Sequence, residues 1–405
     1  MKKALVFYLY GNRNAGDMAI CLGAIELLKK QNYEIIMVSR FSEAEDEYWK
    51  SRDYLAEYYP DVKVYPGPFS FERDTPVVKK MLAYGVSALK AAGIIRDQQI
   101  KRLIEETDVV FFNGGNLLRA AGLTDYLRLA ALFYPIKKAY ALKKPIYCLP
   151  QSTAKISGFG EKILRRCLEY FESVFVREEI SYVELKKRFP NISFHRSTDL
   201  AFLCRDTDVA ANKYTELGLD VAVKTNAIVI RNTGIGDIGE LDVRKQQRLK
   251  EALFRYIKNH PDQHYMLVVQ TEKDREYSEL LLKEIREIAD AQIVENHDPL
   301  VLREIYKHVE LLITMRLHAG ILALSALTPV IGLFSEEWGL KNPGIMKDYE
   351  MPYCLIEKDM KERLELLTYV SNGDIGEKIW NYTEIMNDMC LKLSEKPMTI
   401  ENARE

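Results

Sequence analysis

The chain has 405 residues and a formal net charge of −2, so it carries no strong bias toward acidic or basic partners. Hydrophobic residues make up 47% and charged residues 29% of the sequence, which is typical of a soluble globular protein. No dense tract of lysine and arginine with interleaved aromatic residues occurs, which argues against nucleic acid as a partner. At this length we expect two domains.

The cysteines and histidines point to neither disulfides nor a metal. The cysteines are widely scattered, at Cys21, Cys148, Cys167, Cys204, Cys354 and Cys390. Since most stand among apolar residues, we interpret them as buried thiols in a reducing compartment. The histidines show no metal-ligand spacing, so we expect no metal and no cofactor.

The apolar segments near the start and in the last third also bear on location. The first apolar run ends at residues 11–14 without the small-residue cleavage site of a secretion signal, and a β-strand explains it better. The run Ala319–Phe334 contains Pro329 and is too short to span a membrane. By elimination we predict a cytoplasmic protein.

Short apolar strands alternate with amphipathic helices along the chain. In the first half the predicted strands are Ala4–Tyr10, Glu34–Ser39, Val62–Tyr65, Asp108–Asn113, Pro145–Leu149 and Ser173–Arg177. The helices between them include Asp17–Gln31, Thr124–Leu142, Gly160–Tyr170 and Glu178–Arg188. In the second half the predicted strands are Ala227–Arg231, Tyr265–Gln270, Gln292–Glu295, Leu311–Thr314 and Pro329–Leu333. The helices there include Asp242–Lys258, Lys273–Ala289 and Pro299–Lys307.

Strands that are apolar on both faces and alternate with helices indicate parallel, helix-covered sheets. We therefore predict an α/β fold of two doubly wound, Rossmann-like domains facing a cleft. The predicted boundaries are 1–205 for the first domain, 206–224 for a polar linker and 225–357 for the second domain. A C-terminal helical segment, 358–405, is expected to pack back toward the first domain.

The basic and apolar segment Val77–Arg102 has two interpretations. It is either an ordinary amphipathic helix of the fold or a helix that contacts anionic lipid at the inner face of the membrane. The second interpretation would give the protein a peripheral membrane contact.

A loop between the first predicted strand and helix spans Gly11 to Asp17. Its glycines permit a close approach of a ligand, and Asn12, Asn14 and Asp17 offer hydrogen bonds suited to sugar hydroxyls. The alternative is that Asn14 or Asp17 simply caps the helix. The sequence of this loop, residues 11–17, does not match the glycine fingerprint of a dinucleotide-binding site.

A second loop, Gly114-Gly115-Asn116, follows another predicted strand. Paired glycines at a strand end often let the backbone approach a ligand, and Asn116 would then point into the cleft. A purely structural turn is the equal alternative.

Two further strand ends carry arginines. Arg316 and His318 stand where a predicted strand passes into a helix, the usual ligand edge of an open α/β sheet. Free N–H groups of the first helical turn and Arg316 would bind an anion, and His318 could move a proton near neutral pH. Arg177 holds the corresponding position in the first half and could clamp the same anion, or it could be a surface residue paired with Glu178 or Glu179.

Five motifs in order resemble the polysaccharide pyruvyl transferase family. They are G-N-x-N-x-G-D at 11–17, G-G-N at 114–116, V-R-x-x-x-S at 176–181, D-x-A-F at 199–202, and R-L-H-A at 316–319 followed by P-V-I-G at 329–332. Each is weak alone, but the ordered set is specific and spans most of the chain. The resemblance implies a two-domain fold of the GT-B type.

The resemblance also implies an activity and roles for residues. Family members move the enolpyruvyl group of phosphoenolpyruvate onto a sugar, usually as a cyclic ketal. Arg177 and Arg316, with Leu317 beside Arg316, would bind the donor, Lys341 would complete its phosphate site, and His318 would protonate its methylene carbon. Asp17 is our candidate for orienting or activating the acceptor hydroxyl.

The predicted partners are therefore phosphoenolpyruvate and a glycan or lipid-linked sugar of a capsule, exopolysaccharide or cell wall. A GT-B glycosyltransferase that uses a sugar nucleotide is the alternative enzyme, because a diphosphate also suits an arginine at a helix N-terminus. A binding protein that retains the cleft without turnover is a third hypothesis.

Overall fold

The structure is a computed structural model that describes residues 1–69, 97–231, 242–339 and 341–358, together with residues 82, 85, 86, 89 and 90. The described chain divides into two compact units. Of the described residues, the N-terminal unit contains Met1–Asn12 and Ile20–Leu200, and the C-terminal unit contains Arg13–Ala19 and residues 201–358. The predicted segment 358–405, apart from residue 358, lies outside the described residues, as does most of 77–96.

The elements of the first half begin with a central apolar strand. The strands are, in chain order, β1 (Lys2–Leu9), β2 (Tyr33–Ser39), β3 (Lys63–Tyr65), β4 (Val109–Phe112), β5 (Gly115–Ala120), β6 (Ile146–Ile156), β7 (Ser173–Val176) and β8 (Phe194–Arg196). The helices between them are α1 (Ala15–Lys30), α2 (Asp46–Tyr58), α3 (Gln98–Glu105), α4 (Leu123–Ala141), α5 (Phe159–Leu168) and α6 (Glu179–Arg188).

The strands of the N-terminal unit form a parallel sheet in the order β3-β2-β1-β4-β6-β7-β8, with β5 paired to β6. Residues of β1 from Ala4 to Leu9 are fully buried, because neighbouring strands and covering helices remove both faces from water. Phe112 of β4 stacks on Phe133 of α4, with ring centroids 5.0 Å apart. Strands β2 and β3 extend the sheet on one side of β1, whereas β4 and the later strands extend it on the other side. The carboxyl ends of β1 and β4 are therefore the switch point of this sheet.

The elements of the second half repeat this plan. The strands are β9 (Thr225–Val229), β10 (His264–Val269), β11 (Ala291–Glu295), β12 (Leu311–Thr314), β13 (Val330–Phe334) and β14 (Tyr353–Leu355). The helices are α7 (Asp208–Glu216), α8 (Val243–Asn259), α9 (Arg275–Ile285), α10 (Pro299–Lys307), α11 (Leu317–Ser325) and α12 (Lys341–Asp348). Short 3-10 turns lie at Leu200–Leu203, Glu272–Asp274 and Glu336–Trp338.

The sheet of the C-terminal unit is parallel and runs β11-β10-β9-β12-β13-β14. Its switch point lies between β9 and β12, which are hydrogen-bonded neighbours although a long stretch of chain separates them. The α/β class and the Rossmann-like arrangement of each unit are as predicted.

The predicted linker 206–224 contains α7, which belongs to the C-terminal unit. Ala210 and Tyr214 of this helix are buried, and Tyr214 stacks on His308 at 4.9 Å between ring centroids. Thr207 caps the helix by accepting a hydrogen bond from the Ala210 amide. The sparse apolar residues of α7 hid it, because a short helix needs only one buried stripe.

The cysteines of the described chain are buried thiols, as predicted: Cys21, Cys148, Cys167, Cys204 and Cys354. Burial raises the pKa of the Cys167 thiol to about 12. Among the residues that the structure describes, no helix is both long and apolar enough to cross a membrane.

Candidate functional site

The carboxyl ends of β9 and β12 bring two arginines together. Thr314, the last residue of β12, pairs with Val229, the last residue of β9, and the amide of Met315 donates to the Val229 carbonyl at 2.9 Å. The Arg231 amide lies 3.4 Å from the sulfur of Met315. The two chain segments thus leave the sheet side by side, and each bears an arginine, Arg231 after β9 and Arg316 after β12.

A buried carboxylate fixes the side chain of Arg316. Its Nε donates to Asp274 Oδ2 at 2.6 Å, and its Nη2 contacts the same oxygen. The side chains are 11% and 3% exposed, respectively. Asp274 ends the 3-10 turn that follows β10, so it comes from the same edge of the sheet. Because Asp274 is almost completely buried, it holds the Arg316 guanidinium in one orientation with little competition from water.

Arg231 lies against an aromatic ring, with its guanidinium carbon 5.5 Å from the ring centroid of Trp338. Burial and then the neighbouring charge of Arg316 lower the pKa of Arg231 to about 10, while Asp274 acts in the opposite direction. Since an arginine keeps its proton at neutral pH, the lowered pKa reflects the cost of burying a charged guanidinium, which the nearby charge of Arg316 increases. A bound anion would relieve it.

Helix α11 begins directly at this point. The Thr314 hydroxyl accepts from the Arg316 amide at 2.9 Å, which turns the chain out of the strand. Arg316 is the extended N-cap, and Leu317 and His318 are the first two helical residues. Leu317 is buried, and its place in the first turn leaves backbone N–H groups for an anion.

His318 is half-buried beside Gly16, which lies in the first turn of α1. A Cβ atom on Gly16 would overlap the Nδ1 and Cγ atoms of the imidazole, so only glycine fits at this position without a shift of the histidine. Both residues belong to the C-terminal unit, because the segment Arg13–Ala19 clusters with it. The predicted loop 11–17 therefore ends in the first turn of α1, where Gly16 contacts His318.

The same loop shows the predicted helix cap. The Asn14 side-chain oxygen accepts from the Gly16 amide at 3.1 Å, and its carbonyl accepts from the Met18 amide at 3.1 Å. Asn14 thus caps α1, which is the structural alternative considered for it. Asp17 stands half-buried in the first turn of α1, and Asn12 is half-buried in the N-terminal unit.

In the N-terminal unit, the glycine pair after β4 forms a tight turn. Gly115 has φ +133°, and a Cβ atom there would lie 2.8 Å from the Tyr10 hydroxyl oxygen. That hydroxyl donates to the Gly114 carbonyl at 2.8 Å, and Gln151 braces the turn by accepting from the Leu117 amide at 3.0 Å. Both support the structural interpretation of the glycines. The side chain of Asn116 is exposed.

Arg177 is not a surface residue, which corrects that alternative. Its side chain is 2% exposed, with Nη1 donating to Asp199 Oδ2 at 2.6 Å and Nε donating to the Ser152 hydroxyl at 2.5 Å. Glu178, at 3.7 Å from Nε, accepts from Ser152 at 2.7 Å and from Ser181. Burial raises the pKa of Glu178, against the opposing charge of Arg177. The Arg177 guanidinium is thus enclosed by groups of its own unit.

Lys341 is half-buried at the first position of α12, next to the buried Asn342. Of the predicted residues, Arg316, Leu317 and His318 therefore lie together at one sheet edge. Gly16, in the same segment as Asn14 and Asp17, lies against the imidazole of His318. Sequence reasoning missed Arg231 and Asp274. In the sequence, each is only a charged residue shortly after a strand. This position indicates a shared site only once β9 and β12 are known to be neighbouring strands.

Among the described residues, no group of three or more histidine, cysteine, aspartate or glutamate side chains is arranged to hold a metal ion. The groups at the β9–β12 edge are two guanidiniums, a helix N-terminus and an imidazole. Guanidiniums and a helix N-terminus suit a small anion, and an imidazole can exchange a proton near neutral pH.

Residues 14–334 match a family model described as polysaccharide pyruvyl transferase. No curated protein matches the chain significantly in sequence.

Solved structures match the whole chain in fold. UDP-GlcNAc 2-epimerase from Neisseria meningitidis, bound to UDP-GlcNAc, is 12% identical with a TM-score of 0.57, over 96% of this chain and 100% of that one. A UDP-glucosyltransferase from Polygonum tinctorium is 10% identical with a TM-score of 0.55, over 98% and 99%. Sucrose-phosphate synthase from Thermosynechococcus elongatus is 12% identical with a TM-score of 0.54, over 97% and 99%. These similarities show the GT-B fold.

Proposed function

Because the chain belongs to the polysaccharide pyruvyl transferase family, we propose that it moves the enolpyruvyl group of phosphoenolpyruvate onto a sugar and closes a pyruvate ketal with release of phosphate. The observation that carries this proposal is the pair Arg231 and Arg316 beside His318 at the β9–β12 edge, with Arg316 held by Asp274. The family supports a transferase acting on a saccharide, and the site supports an anionic donor that needs a proton.

Phosphoenolpyruvate has two anionic groups on one small carbon skeleton, and two guanidiniums with a helix N-terminus suit that charge distribution. Arginine binds phosphate and carboxylate through paired N–H donors, so each group can take one guanidinium edge. Arg316 presents a fixed edge because Asp274 holds its Nε and Nη2 side. The first amides of α11, at Leu317 and His318, add donors for the phosphate. Lys341 remains a proposed phosphate ligand from the resemblance.

The reaction needs an acid directed at carbon. His318, protonated, gives its proton to the methylene carbon of the donor, and the C=C electron pair forms the new C–H bond. The adjacent carbon becomes oxocarbenium-like, and an acceptor hydroxyl attacks it and loses its proton to a base. Phosphate then leaves with its C–O bonding pair, and a second hydroxyl closes the ketal. Of the two hydroxyl protons, one replaces that of His318 and the other leaves with phosphate.

Cationic groups stabilise this sequence, because negative charge grows on phosphate as it leaves. Arg231 and Arg316 are already desolvated, so their interaction with the leaving phosphate is stronger than in water. Asp17 is the proposed base or orienting group for the acceptor hydroxyl, with Asn12, Asn14, Gly115 and Asn116 as proposed acceptor contacts. Arg177 is assigned a positioning role instead of direct donor contact, because its guanidinium is enclosed by Asp199 and Ser152.

The acceptor is proposed to be a glycan or lipid-linked sugar destined for a capsule, exopolysaccharide or cell wall. The protein would act in the cytoplasm, with a membrane contact only if the acceptor is itself lipid-linked. No cofactor is required by this scheme.

Phosphate release tests the proposal. The protein is incubated with phosphoenolpyruvate and a panel of glycans, and inorganic phosphate and pyruvylated product are measured. We expect acceptor-dependent phosphate release that is lost in His318→Gln. Release of nucleoside diphosphate from sugar nucleotides, with no reaction of phosphoenolpyruvate, would instead identify a glycosyltransferase and overturn the proposal.

The missed arginine gives a second test. Arg231→Gln removes a charge from the anion site, so we expect the affinity for phosphoenolpyruvate to fall about 10- to 100-fold, the range for one charge-assisted hydrogen-bonding group. Calorimetric titration measures it, with the exposed Arg244→Gln as a matched control from the same unit. Equal donor affinity of Arg231→Gln and the wild-type protein would remove Arg231 from the site.

A further inference from the structure

Three arginines converge at the carboxyl edge of the N-terminal sheet, apart from the site described above. Arg40 directly follows β2, and its amide donates to the Leu9 carbonyl at 2.8 Å. Arg119 lies near the end of β5, and Arg128 lies in α4. All belong to the N-terminal unit.

One carboxylate joins two of them. Arg119 Nε donates to Asp125 Oδ1 at 2.8 Å, and Arg128 Nε lies 3.7 Å from the same oxygen. The other oxygen of Asp125 accepts from the Ala121 amide at 2.9 Å. Asp125 is 8% exposed, so it is a fixed hub and not a mobile surface acid.

Arg128 is fixed further by the backbone of β5. Its Nη2 donates to the carbonyls of Leu117 and Arg119, both at 3.0 Å, and its side chain is 16% exposed. Arg119 is 38% exposed and can reach a ligand in solvent. One guanidinium is therefore preorganised and the other is accessible, which is the arrangement of a built anion site.

The charges in this cluster repel one another. Burial is the main cause that lowers the pKa of Arg128 to about 10; Arg40 and Arg119 lower it further, and Asp125 and Tyr10 raise it. Arg40 also lies over the Tyr10 ring, with its guanidinium carbon 6.0 Å from the centroid. Tyr10 follows β1 and contacts the turn after β4, so the cluster borders the switch point of this sheet, where ligands of open α/β sheets bind.

We propose that Arg40, Arg119 and Arg128 form a second anion subsite, which binds a diphosphate group carried by the acceptor. Guanidiniums bind phosphate oxygens through paired N–H donors, so an anion with two phosphates suits three arginines better than a single carboxylate does. The assignment of this anion to the acceptor rests on the proposed function. The binding of an anion by the three arginines does not depend on that function.

Inorganic pyrophosphate is the probe, titrated calorimetrically into an Arg316→Gln variant so that the donor site does not contribute. We expect Arg119→Gln in this background to weaken pyrophosphate binding about 10- to 100-fold, and Arg119→Lys to restore part of the loss. The control is Arg102→Gln, which removes an exposed arginine of the same unit. Unchanged pyrophosphate affinity in Arg119→Gln would overturn the subsite.

A second titration separates the two sources of phosphate. In otherwise wild-type protein, Arg119→Gln should leave the affinity for phosphoenolpyruvate unchanged. If that affinity falls as much as the affinity for pyrophosphate, the cluster is part of the donor site and the proposal is wrong. Because both readouts are binding, a protein that binds pyrophosphate through Arg119 but never releases phosphate from phosphoenolpyruvate would refute the proposed function and leave the subsite standing.

Discussion

At the scale of residues, the β9–β12 edge brings two guanidiniums near a single carboxylate. Arg316 and His318 could be predicted from the sequence, because they stand where an apolar strand passes into a helix. Arg231 could not, since its partner is 85 positions away and the contact depends on β9 and β12 being neighbours. Asp274 was equally hidden, because a carboxylate in a turn is usually a solvated residue.

Gly16 should be as important for turnover as a catalytic side chain. In Gly16→Ala the added methyl group meets the imidazole of His318, and the acid must move away from the carbon it protonates. We expect kcat to fall about 100-fold, because small misplacement of a reacting group has effects of that order, while the affinity for phosphoenolpyruvate changes little.

Gly122→Ala is the matched control, since a Cβ atom there meets open space. Its kcat should equal that of the wild-type protein. A Gly16→Ala variant with full activity would show that the histidine does not need its present position.

At the scale of elements, Asn14 at the start of α1 has an observed structural role and a proposed contact with the acceptor. Asn14 caps the helix through its side-chain oxygen. Asn14→Ala should therefore cost about 1 kcal/mol of stability, and Asn14→Asp should retain the cap. Chemical denaturation measures both.

The activity of Asn14→Asp then decides the remaining alternative for this residue. If Asn14 only caps α1, the aspartate variant keeps both stability and turnover. A stable Asn14→Asp protein with a raised KM for the acceptor would show that the amide also contacts the sugar.

The buried Arg177 cluster joins the end of β7 to the segment after β8. Asp199→Asn leaves the guanidinium without its closest carboxylate, and loss of one member of a buried ion pair costs about 3–5 kcal/mol. We expect a correspondingly lower free energy of unfolding. Glu184→Gln, which breaks an exposed pair with Arg188, should change it by less than about 1 kcal/mol. Equal stability of the two variants would contradict the structural role of Arg177.

The elements differ in how far their sequences reveal them. The central strands β1, β4 and β12 consist mostly of apolar residues, and their positions are predicted closely because a strand covered on both faces needs that composition. Strand β9 begins with the polar Thr225 and Asn226, so its predicted position is two residues late at both ends. The edge strands β8 and β14 each have three residues and no apolar run, so the sequence does not reveal them. Helix α7 lies in the predicted linker because its sequence is polar and weakly patterned.

At the scale of the whole molecule, both units use the same strand plan and carry arginines near their switch points. The plan follows from the alternation of strands and helices, which the sequence shows clearly. The position of the sites follows from strand order, which no local pattern contains. This is why the two Rossmann-like units and the position of Arg316 and His318 at a strand end could be predicted, whereas the partners Arg231 and Asp274 could not. The GT-B type was predicted from the family resemblance.

The most direct test of the account is the source of the new methyl hydrogen. With an acceptor found by the phosphate-release assay, the reaction is run in D2O and the ketal is analysed by mass spectrometry and NMR. An acid at His318 exchanges with solvent, so the account predicts one deuterium in the ketal methyl group and no product from His318→Gln. A ketal methyl group without deuterium, or undiminished product from His318→Gln, would contradict it.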